Sequence, residues 1–167
     1  AGFIGSSTAQ RLLARGDEVV GLDNLNDYYD VNLKQARLDR LTSQPGFRFV
    51  KLDLADQGGM AALFARERFE RVVHLGAQAG VRHSLIDPHS YISANVVGTL
   101  NVLEGCRYNQ VSHLVYASTS SVYGASTRLP FSVHEPASHP LSLYAASKRA
   151  TELMAHNYSA LFGVPTT

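Results

Sequence analysis

Short β-branched and aromatic runs alternate with longer stretches of helical period along this chain. That alternation restricts it to a parallel sheet with helices packed on its faces. Glu18 to Asp23, Phe47 to Leu52, Arg71 to Leu75 and His113 to Ala117 read as strands, and a fifth is expected to begin at Val164. Asp87-Pro88 reads as an N-cap and first helical residue, with Ile92, Val96, Leu100 and Leu103 expected on the face toward the sheet. Another helix is predicted from Leu143 to Phe162, with Leu143, Ala146, Ala150, Leu153 and Leu161 inward, Gly163 as its stop and Pro165 beyond. The expectation is a single α/β domain over residues 1–167, a doubly wound parallel sheet.

Composition narrows the partners. The chain has 167 residues, 45% hydrophobic and 17% charged, enough apolar content to bury a core. A formal net charge of +1 gives no electrostatic reason to expect nucleic acid or an anionic membrane. No apolar run approaches the roughly 20 residues of a spanning helix. The single cysteine, Cys106, has no intramolecular partner for a disulfide, which fits a reducing, cytoplasmic setting. Seven histidines show neither a helical pair nor cysteine partners, so no metal site is expected.

Gly2-Phe3-Ile4-Gly5 leads into a helix carrying Ala9, Leu12 and Leu13 and closed by Gly16. Such glycines let a backbone approach a pyrophosphate at a helix N-terminus, where free amides and the helix dipole favour negative charge. Spacing alone fits a simple turn equally well. Asp23 shifts the weight, because it ends the next strand about 20 residues on, where a carboxylate accepts hydrogen bonds from ribose hydroxyls. The same carboxylate would repel a 2′-phosphate, and neither Asn24 nor Leu25 supplies a cation for one, so NAD is expected over NADP. Asp53-Leu54 and Leu75-Gly76-Ala77 follow later strands, and the small residues of the second would let the chain pass close to a cofactor. Read alone, each also fits a strand-end turn.

Tyr144 and Lys148 lie four residues apart on one helix face, following the strand His113 to Ala117 and its exit through Thr119, Ser120 and Ser121. The carboxyl ends of parallel strands form a ligand crevice, so these residues are expected to converge there. A phenol ionises near pH 10. An ammonium about 5 Å away at an effective dielectric near 20 contributes roughly 3 kcal/mol, about two pKa units, which suits Tyr144 to act as a base near pH 8. The Thr119 hydroxyl can orient a substrate oxygen. The stretch from Gly124 to Ser142, with Pro130, Pro136 and Pro140, is expected to flank the substrate.

In combination, Gly-Phe-Ile-Gly, Asp23, Asp53-Leu54, His74-Leu75-Gly76-Ala77-Gln78-Ala79-Gly80, Asn95, Thr119 and Tyr-x-x-x-Lys resemble the extended short-chain dehydrogenase/reductases, the NAD-dependent epimerase/dehydratase family. The match covers essentially the whole chain. Asp23 to Asp30, Gln78-Ala79-Gly80-Val81-Arg82 and His139 to Tyr144 look most like the UDP-glucuronate 4-epimerases. The resemblance implies a Rossmann-type fold, NAD as cofactor and a UDP-sugar as substrate. It implies that Tyr144 takes the proton from the sugar 4-hydroxyl while hydride leaves C4, that Lys148 holds the nicotinamide ribose, and that the 4-keto sugar rotates before hydride returns. Gly2, Phe3, Ile4, Gly5, Asp23, Asn24, Asp53, Leu54, Leu75, Gly76, Ala77, Asn95, Tyr144 and Lys148 would contact the cofactor. Arg82, Ser120 and Ser121 would lie at the substrate, Arg82 on a uronate carboxylate or a phosphate. Related 4,6-dehydratases carry Asp-Glu directly after the catalytic threonine, where this chain has Ser120-Ser121, which favours epimerisation.

The alternatives are a related dehydratase, decarboxylase or dehydrogenase, or a non-catalytic NAD sensor, against which the intact Thr119, Tyr144 and Lys148 count. A homodimer is left open. Ala1 falls inside the glycine turn, so the chain is expected to be truncated there and to lack a C-terminal substrate domain after Thr167. Without the first, central strand of the order 3-2-1-4-5-6, the isolated chain is expected to be unstable or to close in a non-native way, and to be inactive.

Overall fold

A computed structural model describes residues 1–167, which divide into two compact units, Ala1–Asp53 and Leu54–Thr167. In the first, α1 (Phe3–Arg15) precedes β1 (Val19–Asp23), α2 (Val31–Thr42) and β2 (Phe47–Lys51). Gly2 caps α1 and the left-handed Gly16 ends it, donating its amide to Leu13 O. Asp30 caps α2 through the Asn32 amide at 2.9 Å. β1 and β2 pair in parallel, Val19 opposite Phe47 and Asp23 opposite Lys51, so both strands end at the same level. Ala9, Leu38, Leu41 and Phe47 form the core, with Leu13, Val19 and Phe49 against it.

The second unit runs α3 (Gln57–Glu67), β3 (Arg71–His74), α4 (Pro88–Tyr91), a π-helical segment Ile92–Val97, α5 (Gly98–Tyr108), β4 (His113–Tyr116) and α6 (Leu143–Phe162). β3 and β4 are parallel, with His74 opposite Tyr116. The expected fifth strand is a short extension. Leu114 bridges to Thr166 in parallel, with amide bonds of 2.9 Å from Leu114 to Pro165 and from Thr167 to Leu114. The pairings are those of strands 2 with 3, 4 with 5 and 5 with 6 in the Rossmann order. No helix is long and apolar enough to cross a membrane.

Helix boundaries match the sequence expectation better than helix faces do. Asp87 caps α4 and Pro88 opens it, and α6 runs from Leu143 to Phe162 with Gly163 left-handed at its end. Yet Leu153 is 55% and Leu161 66% exposed, and the inward stripe is Ala145, Ser147, Lys148, Thr151 and Ala155. Hydroxyl groups on that stripe bond back to the helix, Ser147 Oγ to Tyr144 O at 2.8 Å and Thr151 Oγ1 to Lys148 O at 2.6 Å, so their burial leaves no donor unmet. Ile92 and Leu100 are likewise exposed. The buried face there includes Tyr91, Asn95, Thr99, Leu103 and Cys106, of the residues expected only Leu103. Asn95 and Thr99 find interior hydrogen-bond partners, so apolar period does not mark the buried side.

Candidate functional site

In the first unit, the start of α1 and the ends of β1 and β2 carry the residues expected at a cofactor. Gly2 has an ordinary extended conformation, φ −68° and ψ 168°, and a Cβ there would meet only Tyr29 Oη, at 3.8 Å. A Cβ on Gly5 would meet nothing within 4 Å. Neither backbone strain nor packing within the chain therefore demands glycine at these positions. Something approaching the α1 N-terminus from outside would, and the free amides of its first turn suit an anion. Phe3 and Ile4 lie exposed on the same turn.

At the end of β1, Asp23 Oδ1 accepts from the Leu25 amide at 2.8 Å and Asn24 Oδ1 from the Asn26 amide at 3.0 Å. These two successive side-chain turns hold Leu25 at φ 55°, a left-handed conformation rare for leucine. Asn24 Nδ2 donates to Asp53 Oδ2 at 2.8 Å, joining the ends of β1 and β2. A recess of about 470 Å³ opens beside them, lined by Asn24, Asn26, Lys51, Leu52 and Asp53. Asn24 and Asp53 thus line one edge of this recess.

Lys34 is the residue the sequence reading misses. Its ammonium is buried, 3.6 Å from Asp23 Oδ1 and 2.9 Å from Asn26 Oδ1, and lies 4.8 Å from the centre of the Tyr29 ring. The expectation that neither Asn24 nor Leu25 supplies a cation stands, and the cation beside Asp23 comes instead from α2. Eleven residues and a loop separate the two, and no spacing rule joins them. Burial raises the Asp23 carboxyl pKa, while the Leu25 amide and Lys34 lower it.

In the second unit, Thr119 follows β4 and caps the 3₁₀ turn Ser120–Tyr123, its Oγ1 accepting from the Ser121 amide at 3.2 Å and donating to Ser121 Oγ at 3.3 Å. Ser120 is exposed and Ser121 half-buried beside it. Ser142 caps α6 through the Ala145 amide, which fixes the first turn that carries Tyr144. Lys148, one turn on, is 5% exposed, and its ammonium makes no hydrogen bond within the chain. Burial lowers its pKa and Glu152, a further turn along, partly restores it. The Tyr144 phenol likewise has no hydrogen-bond partner in the chain. A buried, uncommitted cation and a free phenol on successive turns form an arrangement that a ligand would complete.

At the β3 exit, Leu54 comes close to Gly76. A Cβ on Gly76 would meet Leu54 Cδ1 at 2.7 Å, so the need for glycine there comes from Leu54. Leu54 itself is half-buried against Gly76 and Gly98, and Asn101 Nδ2 donates to its carbonyl at 2.7 Å. Leu75 is half-buried, while Ala77 and Arg82 are exposed. Asn95 does not fit its expected cofactor contact. It is 1% exposed, its Oδ1 accepts from the Gln78 amide at 2.8 Å, and its Nδ2 reaches Gln78 O at 3.0 Å and Ser147 Oγ at 2.9 Å. With its amide engaged inside the protein, Asn95 holds a loop. Gly124, at φ 60°, packs its α-carbon against the His139 carbonyl, which braces the 124–142 connection.

The profile of the GDP-mannose 4,6 dehydratase family matches residues 1–167. The chain belongs to this family of extended short-chain dehydrogenase/reductases. Protein CapI of Staphylococcus aureus is 49% identical over all of this chain and half of its own length. UDP-glucuronate 4-epimerase 1 of Arabidopsis thaliana is 46% identical, covering 99% of this chain and 39% of its own. Among solved structures, the UDP-glucuronic acid 4-epimerase of Bacillus cereus, in complex with UDP-glucuronic acid and NAD, superimposes with a TM-score of 0.89 at 31% identity, over 99% of this chain and 52% of that one. The chain spans about half the length of the curated relatives that head the comparison. The Rossmann-type α/β fold expected from the sequence is that of these family members.

Proposed function

We propose that the whole protein is an NAD-dependent nucleotide-sugar 4-epimerase acting on UDP-glucuronate. The observation that carries the reading is the buried, unpaired Lys148 ammonium one turn from the free Tyr144 phenol. A non-catalytic NAD sensor could use Lys148 on the cofactor ribose but would have no use for a base beside it, so the phenol next to that charge counts against a sensor. Support for the substrate comes from the relatives named as UDP-glucuronate 4-epimerases, and support for the cofactor from the neighbour solved with NAD.

In the first unit, Gly2 to Gly5 at the α1 N-terminus would take a pyrophosphate, Asp23 the adenosine ribose hydroxyls, and Asn24 and Asp53 the adenine edge. NAD supplies a hydride acceptor at the sugar C4. Tyr144 removes the 4-hydroxyl proton and returns it, Lys148 holds the phenolate by its charge, and Thr119 orients the sugar oxygen. Ser120 and Ser121 present neutral hydroxyls next to Thr119, which cannot serve as the acid and base that elimination of water requires. Arg82, exposed after the β3 exit, would meet a carboxylate or phosphate of the substrate.

The test is incubation of the whole protein with UDP-glucuronate, followed by NMR for UDP-galacturonate. Tyr144→Phe is expected to lower kcat by about 10²- to 10⁴-fold while NAD affinity stays within about two-fold. A product lacking the 6-carboxylate would instead identify a decarboxylase, and conversion of a UDP-hexose to its 4-keto-6-deoxy form a dehydratase.

A further inference from the structure

Tyr91 ends α4 with none of its surface exposed. Its hydroxyl lies 2.7 Å from Ala79 O and 2.6 Å from Gly80 O, and its single proton can serve either carbonyl. Its ring meets that of Tyr144 nearly at right angles, 78°, with centroids 6.1 Å apart. One turn later, Asn95 grips the backbone of Gln78 by both amide groups and reaches Ser147, whose hydroxyl is bonded to the Tyr144 carbonyl. Two side chains of one helical stretch thus hold three consecutive residues of the β3 exit, 78–80. The same two hold Tyr144, at its ring and, through Ser147, at its backbone. The stretch between them is the π-helical segment, a departure from the α-ladder that recurs at functional sites.

Gly80 is held at φ 98°, and the chain proceeds from it through Val81 to Arg82. A hydroxyl on the Ala79 and Gly80 carbonyls therefore fixes the direction in which Arg82 leaves the loop. Ring packing of about this geometry contributes roughly 0.5–1.5 kcal/mol to aromatic pairs beyond area burial, enough to select one seat for the Tyr144 ring.

We propose that Tyr91 is a positioning residue with two separable tasks: its ring seats the Tyr144 phenol, and its hydroxyl sets the 79–80 loop that leads to Arg82. The inference rests on Tyr144 being the base. In the whole protein, Tyr91→Phe keeps the ring and removes the hydroxyl, so KM for UDP-glucuronate is expected to rise about five-fold with kcat nearly unchanged. Tyr91→Leu removes the ring as well, so kcat is expected to fall by about ten-fold or more. A purely structural role would lower both variants' active fraction and leave KM alone, so NAD-loaded active sites are counted and the parameters expressed per site. Wild-type KM and kcat in Tyr91→Phe overturn the hydroxyl's task even if Tyr91→Leu does not fold, and an unchanged per-site kcat in a folded Tyr91→Leu overturns the ring's. Tyr144→Phe separates the two readings: if it stays active, the base assignment fails; if it is inactive while both Tyr91 variants behave as wild type, only the Tyr91 inference fails.

Discussion

Ser118 donates its hydroxyl to Glu152 Oε1 at 2.5 Å, tying the β4 exit that carries Thr119 to the helix that carries Lys148. Arg149 Nη1 takes the other carboxylate oxygen at 2.6 Å. Glu152 is the counter-charge to a buried ammonium whose other charged-state neighbour, His74 on β3, is a ring that burial keeps neutral. Glu152→Gln is expected to lower the Lys148 pKa further, since the one group raising it is gone. The alkaline limit of kcat then moves to lower pH, and Ser118→Ala moves it less. A pH profile of the whole protein with an unmoved alkaline limb would remove Glu152 from this role.

His74 gives an acid-stability prediction. Its Nε2 lies 3.0 Å from Thr99 Oγ1, and burial, with a smaller effect of Lys148, lowers its pKa from 6.5 to about 4. The unfolded chain takes up a proton near pH 6.5 and the folded one only near 4, so the stability contribution is full above about 6.5. It is lost as pH falls from there toward 4, by about 3 kcal/mol in all. His74→Gln should flatten that part of the curve of thermal midpoint against pH; an equally steep loss in the variant would count against it.

Gly98 and Gly76 both face Leu54, but unequally. A Cβ on Gly98 would lie 2.8 Å from Leu54 Cβ, a position fixed to the backbone, whereas one on Gly76 would meet the movable Leu54 Cδ1 at 2.7 Å. Gly98→Ala is expected to destabilise by about 1–3 kcal/mol and Gly76→Ala by less, measured by chemical denaturation. The reverse order would show that the α5 start, not Leu54, gives way.

Asp23 and Lys34 form a pair whose halves should separate on cofactor choice. Asp23→Asn is expected to weaken NAD binding by about ten-fold, the loss of charged hydrogen bonds to ribose hydroxyls, while narrowing the preference over NADP. Lys34→Met leaves the carboxylate without its buried partner and is expected to weaken NAD less. Titration of both cofactors against each variant checks this, and an unchanged preference in Asp23→Asn would move the ribose contact elsewhere.

How much was legible in the sequence differs by residue. β1 through β4 each begin and end within one residue of the predicted run, because β-branched and aromatic runs between turn residues are a local signal. The cap at Asp87 and the stops at Gly16 and Gly163 are local as well. Leu153 and Leu161 misled because hydrophobicity alone assigned the α6 face, whereas its buried stripe is small and polar residues with their hydrogen bonds met.

What the chain's own sequence determined is therefore the order and extent of the elements and the Tyr144–Lys148 spacing, all set by contacts within a few residues. Only the tertiary structure decided that Asn95 clasps Gln78 and Ser147, 17 and 52 residues away, that Tyr91 meets Tyr144, and that Lys34 sits beside Asp23. A buried polar side chain must find its partner wherever the fold brings one, and no local periodicity records where that is.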